Sequence, residues 1–161
     1  MRIEKIHIKG FRNFDDEVIT FQGKTLIIGA NDVGKTNLIY ALRLLFDKSI
    51  SERDLELSDS DYNAYSGTNQ IEITVTITGI VEECLLSTFG GSVKDGTLLI
   101  RYTNSKNDTY RLLVGFSEET LTEITTRQYI RRLNMQCVDT NRDLIGFLKH
   151  ERIQMLRLAK E

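Results

Sequence analysis

Alternating charged and apolar residues predict strands in the first part of the chain. Residues 2–9 alternate isoleucines with charged side chains, with one slip at Glu4-Lys5, which is typical of a half-buried strand. Residues 11–14 predict a bend, and residues 18–21 predict a second strand. The short apolar run over 25–28 favours a strand that is buried on both faces.

A helix and a regular strand are predicted next. Apolar residues recur at helical spacing, so one face of this helix is expected to pack inward; they are Leu38, Ile39, Leu42, Leu45 and Phe46. Residues 49–68 are polar and irregular. Residues 71–78 alternate without a fault, which predicts an antiparallel strand with one wet face.

The second half of the chain predicts shorter elements. We expect a short helix over 80–89 and a hairpin of two strands, 98–102 and 110–116, around a polar loop. Thr120 to Glu123 has the spacing of a capping box before a helical stretch. A strand over 133–138 and a helix over 143–159 complete the prediction. The expected fold class is α/β, with a mixed sheet and an antiparallel β subdomain.

The segment that carries chemistry is GANDVGKT, residues 29–36, which matches the pattern G-x-x-x-x-G-K-[ST]. It lies between the predicted buried strand and the predicted helix, as a phosphate-binding loop requires. Glycines let backbone N–H groups surround phosphate oxygens, and the helix N-terminus adds a partial positive charge. Lys35 is placed to reach the β- and γ-phosphates, and the Thr36 hydroxyl to ligate Mg²⁺.

Composition and charge exclude several functional classes. The chain has 161 residues, of which 40% are hydrophobic and 27% are charged, and these fractions argue against disorder. No run of about 18 apolar residues is present, so no membrane span is predicted. A net charge of −2 argues against a chain that is basic overall and binds nucleic acid. Two cysteines and the absence of a signal-peptide pattern predict reduced thiols in the cytoplasm.

The opening strand, the bend and the phosphate loop resemble a known group of proteins. Within residues 1–48, the segments IHIKGFRNF and TLIIGANDVGKTNLIYALRLLF are similar to the N-terminal lobe of ABC-type ATPases of the SMC, RecF and OLD kind. Asp32-Val33 stands where SMC proteins commonly have Gly-Ser. This difference favours the OLD branch, the overcoming-lysogenization-defect nucleases and their relatives in Gabija-type phage defence. Weaker similarity covers residues 57–78 and 133–148.

The resemblance implies a P-loop NTPase, with the N-terminal lobe of an ABC-type ATPase over residues 1–161 and with ATP and Mg²⁺ as cofactors. It places eleven residues at the nucleotide, with Thr36 also at the metal: Arg12, Asn13, Gly29, Ala30, Asn31, Asp32, Val33, Gly34, Lys35, Thr36 and Asn37. From the residue alone, Arg12 is either a phosphate ligand or a solvated side chain at a strand end. The resemblance also implies a homo-oligomer or a companion chain that supplies the missing lobe. The parent protein would act on DNA.

Three parts that such ATPases need are missing from the sequence. They are an acidic strand end that holds Mg²⁺, a glutamate that orients water, and a serine-glycine-rich signature. The nearest acids, Glu82 and Glu83, follow the strand with one wet face, and Gln136 is a candidate for a Mg²⁺-sensing glutamine. We therefore expect ATP binding with poor hydrolysis, in a parent ATP-dependent endonuclease of phage defence or DNA repair. The alternative is a non-catalytic nucleotide-sensing or oligomerisation subunit.

Two charged stretches outside the loop have competing interpretations. The acids between residues 52 and 61 are either a metal site or a solvated loop, and their spacing matches no EF-hand. Asp61 is also suited to orient the neighbouring turn, as Asx residues do. Residues 125–133, TTRQYIRRL, are basic and aromatic, which is compatible with nucleic-acid phosphates but favours a solvated helix face.

Overall fold

The computed structural model describes residues 1–137 and Arg152. Within them, six strands form one sheet in the order β2-β1-β3-β4-β5-β6, and every neighbouring pair is antiparallel. The strands are β1 (Arg2–Phe11), β2 (Phe14–Thr20), β3 (Gln70–Thr78), β4 (Leu98–Ser105), β5 (Arg111–Gly115) and β6 (Thr122–Ile124). The helices are α1 (Lys35–Phe46) and α2 (Glu83–Phe89). Single 3-10 turns lie at Glu52–Leu55, Asp59–Asp61, Gly90–Ser92, Glu118–Thr120 and Gln128–Arg131.

The first two strands form a hairpin around the predicted bend. The slip in the alternation at Glu4-Lys5 coincides with an irregularity in the pairing of β1 with β3, between Ile3 and Lys5. Residues 12–13 turn the chain, and Phe11 pairs with Phe14 across the turn. β2 begins four residues before its predicted start. The bend therefore projects Arg12 and Asn13 from one end of the sheet.

Helix α1 packs against one face of the sheet and closes the core. Its buried side chains contact the inward residues of β1, β3 and β4, and they are Leu38, Ala41, Leu42, Leu44, Leu45 and Phe46. Ile39, which was predicted on the inward face, is exposed. The inward residues of the three central strands are fully buried, as at Ile8, Ile73 and Ile100. This packing fixes the start of α1 beside the β1–β2 bend.

The opposite face of β3 is less wet than its alternation predicts. Thr74 and Thr76 are buried although they lie on the polar side of the strand. Thr74 is covered by a long side chain from the next strand: Arg101 donates from Nε to Thr74 Oγ1 at 2.7 Å and pairs with Glu72 at 3.5 Å. Thr76 lies opposite the buried Leu99. The stem of an arginine can cover a strand while its head stays hydrated. The predicted β4–β5 hairpin is confirmed.

The predicted strand over residues 25–28 is wrong. Leu26 is 85% exposed and Ile28 is 82% exposed, and no strand in the described part of the chain pairs with this run. A strand buried on both faces needs neighbours for its N–H and C=O groups, and none of the described strands supplies them to residues 25–28. The α/β class is confirmed, with a described sheet that is antiparallel instead of mixed.

Two further sequence predictions differ from the structure. Thr120 does not open a helix: its Oγ1 accepts the Ser117 N–H at 2.9 Å and closes the turn before it, and the chain continues as β6. Residues 133–137 form no strand, because the backbone there bonds to the end of α1, with the Met135 N–H donating to the Phe46 carbonyl at 2.8 Å. The helix predicted over 143–159 lies outside the described residues.

None of the helices in the described residues is long and apolar enough to cross a membrane.

Candidate functional site

The glycine-rich loop wraps the start of α1 and encloses a cavity. Gly34 precedes the helix with φ 99°, in the left-handed region, and its carbonyl accepts the Leu38 N–H at 3.0 Å. The cavity has a volume of about 430 Å³, and its lining residues are Asn31, Asp32, Gly34, Lys35, Thr36 and Asn37. The first N–H groups of a helix have no partner within the helix, and its dipole makes this end partly positive. The cavity is therefore suited to an anion.

Gly34 has a second reason to lack a side chain. A Cβ built there would lie 2.7 Å from Asn13 Oδ1, closer than real Cβ atoms approach. The Asn13 amide occupies that space, and its Nδ2 donates to the Val33 carbonyl at 3.4 Å. Glycine thus permits both the left-handed turn and close contact with the β1–β2 bend.

Lys35 and Thr36 both line the cavity. Lys35 Nζ donates to the carbonyls of Gly29 and Ala30, at 2.6 Å for the former. The amine therefore lies over the loop and not in open solvent. Thr36 is exposed, and its hydroxyl makes no hydrogen bond within residues 1–137. A lysine cation can pair with a phosphate, and a hydroxyl oxygen can ligate Mg²⁺.

The β1–β2 bend brings Arg12 to the same end of α1. Arg12 has φ 50°, an uncommon value for a residue with a side chain. Its Nη1 donates to Asn37 Oδ1 at 2.9 Å, and its Nε donates to Asp61 Oδ1 at 2.9 Å. The guanidinium lies over the Tyr40 ring, 4.4 Å from its centroid. Arg12 is thus a held side chain and not a solvated one.

A directed chain of amides joins this arginine to the loop. Asn37 accepts from Arg12 and donates from Nδ2 to Asn13 Oδ1 at 2.7 Å. Asn13 in turn donates to the Val33 carbonyl. Each amide has one donor and one acceptor engaged, so the chain fixes both amide orientations. The bend, the helix start and the loop are therefore coupled by side chains.

Asp61 lies behind Arg12 in the 3-10 turn Asp59–Asp61. Its side chain is only 12% exposed, and its Oδ2 accepts the Ser58 N–H at 3.0 Å and the Ser58 hydroxyl at 2.8 Å. Burial acts to raise the pKa of Asp61, but the hydrogen bonds from Ser58 and Arg12 more than offset it, so the net pKa is lowered. The carboxylate is therefore ionised at neutral pH and pairs with Arg12.

The structure places the sequence-predicted residues around one cavity, in three groups. Six line it, two accept from Lys35, and the remaining three join the bend to the loop; these last three are Arg12, Asn13 and Val33. Two partners of Arg12 were not predicted from the sequence. They are the Tyr40 ring and the Asp61 carboxylate. The spacing Ser58-x-x-Asp61 gave a signal for the turn, but no signal pointed to an arginine 49 residues away.

The other acids of this loop remain on the surface. Glu52, Asp54, Glu56 and Asp59 are exposed, and the described residues contain no group of three or more acids, histidines or cysteines that could hold a metal ion. Glu82 accepts the Val81 N–H at the start of α2. The solvated-loop interpretation therefore fits four of the five acids, and Asp61 is the exception.

The basic-aromatic stretch caps the far end of α1 and is not a solvated helix face. Arg127 donates to the carbonyls of Leu44, Asp47 and Ile50 at 3.0–3.3 Å. The buried Tyr129 hydroxyl donates to the Leu45 carbonyl at 2.8 Å, and burial raises its pKa to about 12. The last carbonyls of a helix have no partner within it, so these side chains satisfy them.

A larger groove of about 650 Å³ lies away from the loop, between α2, β6 and residues 128–132. It contains Arg131 and Arg132 but lacks a glycine-rich turn and the start of a long helix. Size alone therefore does not identify the site. The smaller cavity at the start of α1 has the chemistry of an anion site.

Comparison with known proteins agrees with this assignment. Residues 1–150 match the AAA ATPase domain family. Endonuclease GajA of Bacillus cereus (strain VD045) is 44% identical over 77 residues, which cover 48% of this chain and 13% of that protein. DNA replication and repair protein RecF of Synechococcus sp. (strain JA-2-3B'a(2-13)) is 34% identical over 91 residues, covering 53% of this chain and 22% of that protein. The chain thus spans less than a quarter of the length of these relatives.

Solved structures show the same fold. An SMC ATPase structure, from work on ATP-driven dimerization and DNA-stimulated activation, superposes with a TM-score of 0.64 at 21% identity and covers 96% of this chain and 97% of that chain. RecF with ATP superposes with a TM-score of 0.54 at 17% identity, covering 80% of this chain and 30% of that chain. The resemblance to ABC-type ATPases of the OLD, RecF and SMC kind is confirmed, and the chain belongs to the AAA ATPase domain family.

Proposed function

We propose that this chain binds ATP, with its phosphates in the cavity at the start of α1. The observation that carries the proposal is the loop itself: Gly34 in the left-handed region, Lys35 over the loop and a helix N-terminus facing one cavity. Backbone N–H groups and the lysine cation would hold the β- and γ-phosphates. The cavity volume of about 430 Å³ is within the range of small-molecule sites.

Mg²⁺ fits the same residues. The Thr36 hydroxyl is exposed on the cavity and free of other partners in the described residues, and a hydroxyl oxygen is a ligand that Mg²⁺ accepts. The ion would neutralise phosphate charge when bound. Thr36 would hold it at one position, and phosphate oxygens and water would fill the others.

Arg12 and Asn13 are proposed to complete the site from the β1–β2 bend. Arg12 Nη2 makes no hydrogen bond within residues 1–137, whereas Nε and Nη1 are engaged. A guanidinium fixed on two sides and free on the third can donate to a phosphate oxygen. Asn13 would act on the loop conformation through Val33 and Gly34.

We further propose that the site works as the N-terminal lobe of a larger assembly acting on DNA. The exposed apolar run 26–28 directly precedes the loop, with Leu26 and Ile28 more than 80% exposed, and apolar surface of this kind marks an interaction site. A second lobe, from a companion chain or another copy, would pair with it. Relatives named as an endonuclease and as a DNA repair protein support a DNA-cleaving or DNA-repair role.

Replacement of the loop lysine tests the nucleotide site. Lys35→Ala should remove most affinity for a fluorescent ATP analogue, because the proposed role of the charge is to hold phosphate. It should leave the circular dichroism unchanged, because Lys35 is not part of the hydrophobic core. Lys24→Ala is the matched control, since it removes the same charge from an exposed position before the apolar run. Equal affinities of Lys35→Ala and wild type would refute the site.

The DNA role needs a separate test. Retention of labelled duplex DNA should increase when ATP and Mg²⁺ are added, because ATP would bring two lobes together. Lys35→Ala should abolish that increase. If DNA retention does not change when ATP is added, or if no DNA is retained with ATP, the proposed DNA role is wrong and only the proposal of ATP binding remains.

A further inference from the structure

We propose that Asp61 is a positioning residue for the nucleotide site, which holds the Arg12 guanidinium so that its free donors face the terminal phosphates of ATP. The inference rests on the proposed ATP site. It adds a residue that lies outside the loop motif and approaches from a separate part of the chain, the 3-10 turn Asp59–Asp61.

The backbone around Asp61 is bonded to the bend that carries Arg12. The Arg12 N–H donates to the Asp61 carbonyl at 2.7 Å, and the Asn63 N–H donates to the Gly10 carbonyl at 2.9 Å. Phe11 and Tyr62 form the bridge between them. A left-handed residue other than glycine persists only where its surroundings impose it. Residues 61–63 supply that constraint on Arg12.

The Asp61 carboxylate orients the arginine head. Oδ1 accepts from Arg12 Nε, while Oδ2 is held by the N–H and the hydroxyl of Ser58. The Asp61 side chain is 12% exposed, whereas that of Arg12 is 30% exposed. The acid is therefore fixed in the interior and the arginine reaches the surface from it. A buried carboxylate of this kind fixes the orientation of the Arg12 guanidinium and also balances its charge.

The other sides of the guanidinium are also occupied. Tyr40 covers one face, and Asn37 accepts from Nη1. Nη2 is the remaining group without a hydrogen bond in the described residues. Because the side chain is ordered before any ligand arrives, less conformational entropy is lost when the ligand binds. Loss of Asp61 would return that freedom to Arg12.

Two effects of Asp61 on ATP affinity have opposite signs. As a negative charge near the site, it repels phosphate, and its removal would tighten ATP binding. As a positioning residue, it makes Arg12 available, and its removal would weaken ATP binding. The ion pair already neutralises much of its field, so we expect positioning to dominate.

A double-mutant cycle on ATP affinity tests the inference. Asp61→Asn should weaken Mg²⁺-ATP binding about fivefold in the wild-type background and cause no further loss in Arg12→Ala, because coupled residues are non-additive. Asp59→Asn is the matched control, since it removes the same charge from an exposed position in the same turn, and it should change the affinity less than twofold.

Each outcome separates the two proposals. Unchanged or tighter ATP binding by Asp61→Asn overturns the positioning role, and so does an equal loss in the wild-type and Arg12→Ala backgrounds. If wild type binds no ATP, or Lys35→Ala binds as wild type does, the proposed function itself fails. If Asp61→Asn does not fold, Asp61→Glu keeps the charge but displaces it; weaker ATP binding supports positioning, and wild-type affinity contradicts it.

Discussion

At Gly34 the left-handed backbone favours glycine, and a Cβ would displace the hydrogen-bonded Asn13 amide. We predict that Gly34→Ala lowers the free energy of unfolding by about 2 kcal/mol or more, because φ 99° disfavours a Cβ and the Cβ would meet the Asn13 amide. Gly23→Ala is the control, since Gly23 also has positive φ but has nothing within 4 Å of its Cβ position. It should cost about 1 kcal/mol. Urea unfolding of both variants measures the difference, and equal losses would contradict the packing argument.

At the scale of residues, the sequence predicts the local part of the site and misses the distant part. Gly34, Lys35 and Thr36 follow from spacing, because a phosphate loop is contiguous in the chain. Tyr40 and Asp61 reach Arg12 only through the folded arrangement, and no periodicity links residues so far apart. The burial of Asp61 cannot be predicted for the same reason, since the other acids between residues 52 and 59 are exposed.

The two ends of helix α1 have different partners, and the C-terminal end depends on Arg127. We predict that Arg127→Ala lowers the free energy of unfolding by about 2–3 kcal/mol, because three carbonyl groups lose a charged donor. Arg131→Ala removes an equal charge from an exposed position nearby and should change stability by less than about 0.5 kcal/mol. Similar melting temperatures of the two variants would refute the capping role.

The same end of α1 should be sensitive to acid through Asp47. Burial acts to raise the pKa of Asp47, but hydrogen bonds from Ser49 and Arg43 more than offset it and the net pKa lies below its ordinary 3.8. Because the pKa of Asp47 is lower in the folded state than in the unfolded state, its carboxylate stabilises the fold above about pH 4. This stabilisation is lost as the pH falls through the pKa of the folded state.

The prediction from Asp47 is a difference in acid sensitivity. Between pH 6 and pH 3, wild type should lose more free energy of unfolding than Asp47→Asn, which cannot titrate at this position. Asp15→Asn, an exposed acid on β2, should behave as wild type. Chemical unfolding at the two pH values measures the losses. If Asp47→Asn loses as much stability as wild type, the Asp47 carboxylate is not the cause of the acid sensitivity.

For the strands, an alternating or apolar pattern predicts the structure correctly only where a neighbouring strand is present to pair with it. β1, β3 and the β4–β5 hairpin follow from alternation, because each pairs within the described chain. The apolar run 25–28 has the composition of a core strand, but no described strand lies beside it. Residues 120–123 have the spacing of a helix cap, but the Thr120 hydroxyl accepts the Ser117 N–H in the preceding turn. Local propensity cannot distinguish these outcomes, since tertiary pairing decides them.

For the whole molecule, we predict ATP binding without turnover. In-line attack on the γ-phosphate requires held phosphates, an anchored Mg²⁺ and an oriented water. The loop and Thr36 serve the first two, but the sequence has no apolar run that ends in paired acids. Missing groups commonly cost about 10²–10³-fold each. The purified chain should release phosphate at close to the uncatalysed rate; robust release that Lys35→Ala abolishes would reveal a hidden catalytic acid, and Glu82 and Glu83 would be tested first.

Amide chemical shifts show where ATP binds on the chain. On titration of the ¹⁵N-labelled chain with Mg²⁺-ATP, we predict saturable shifts at residues 29–37 and at the Arg12 Nε–H, with none of them in Lys35→Ala. Residues 122–132 around the larger groove should stay unchanged. Shifts confined to that groove, or no saturable shift at the loop, would show that ATP does not bind at the start of α1.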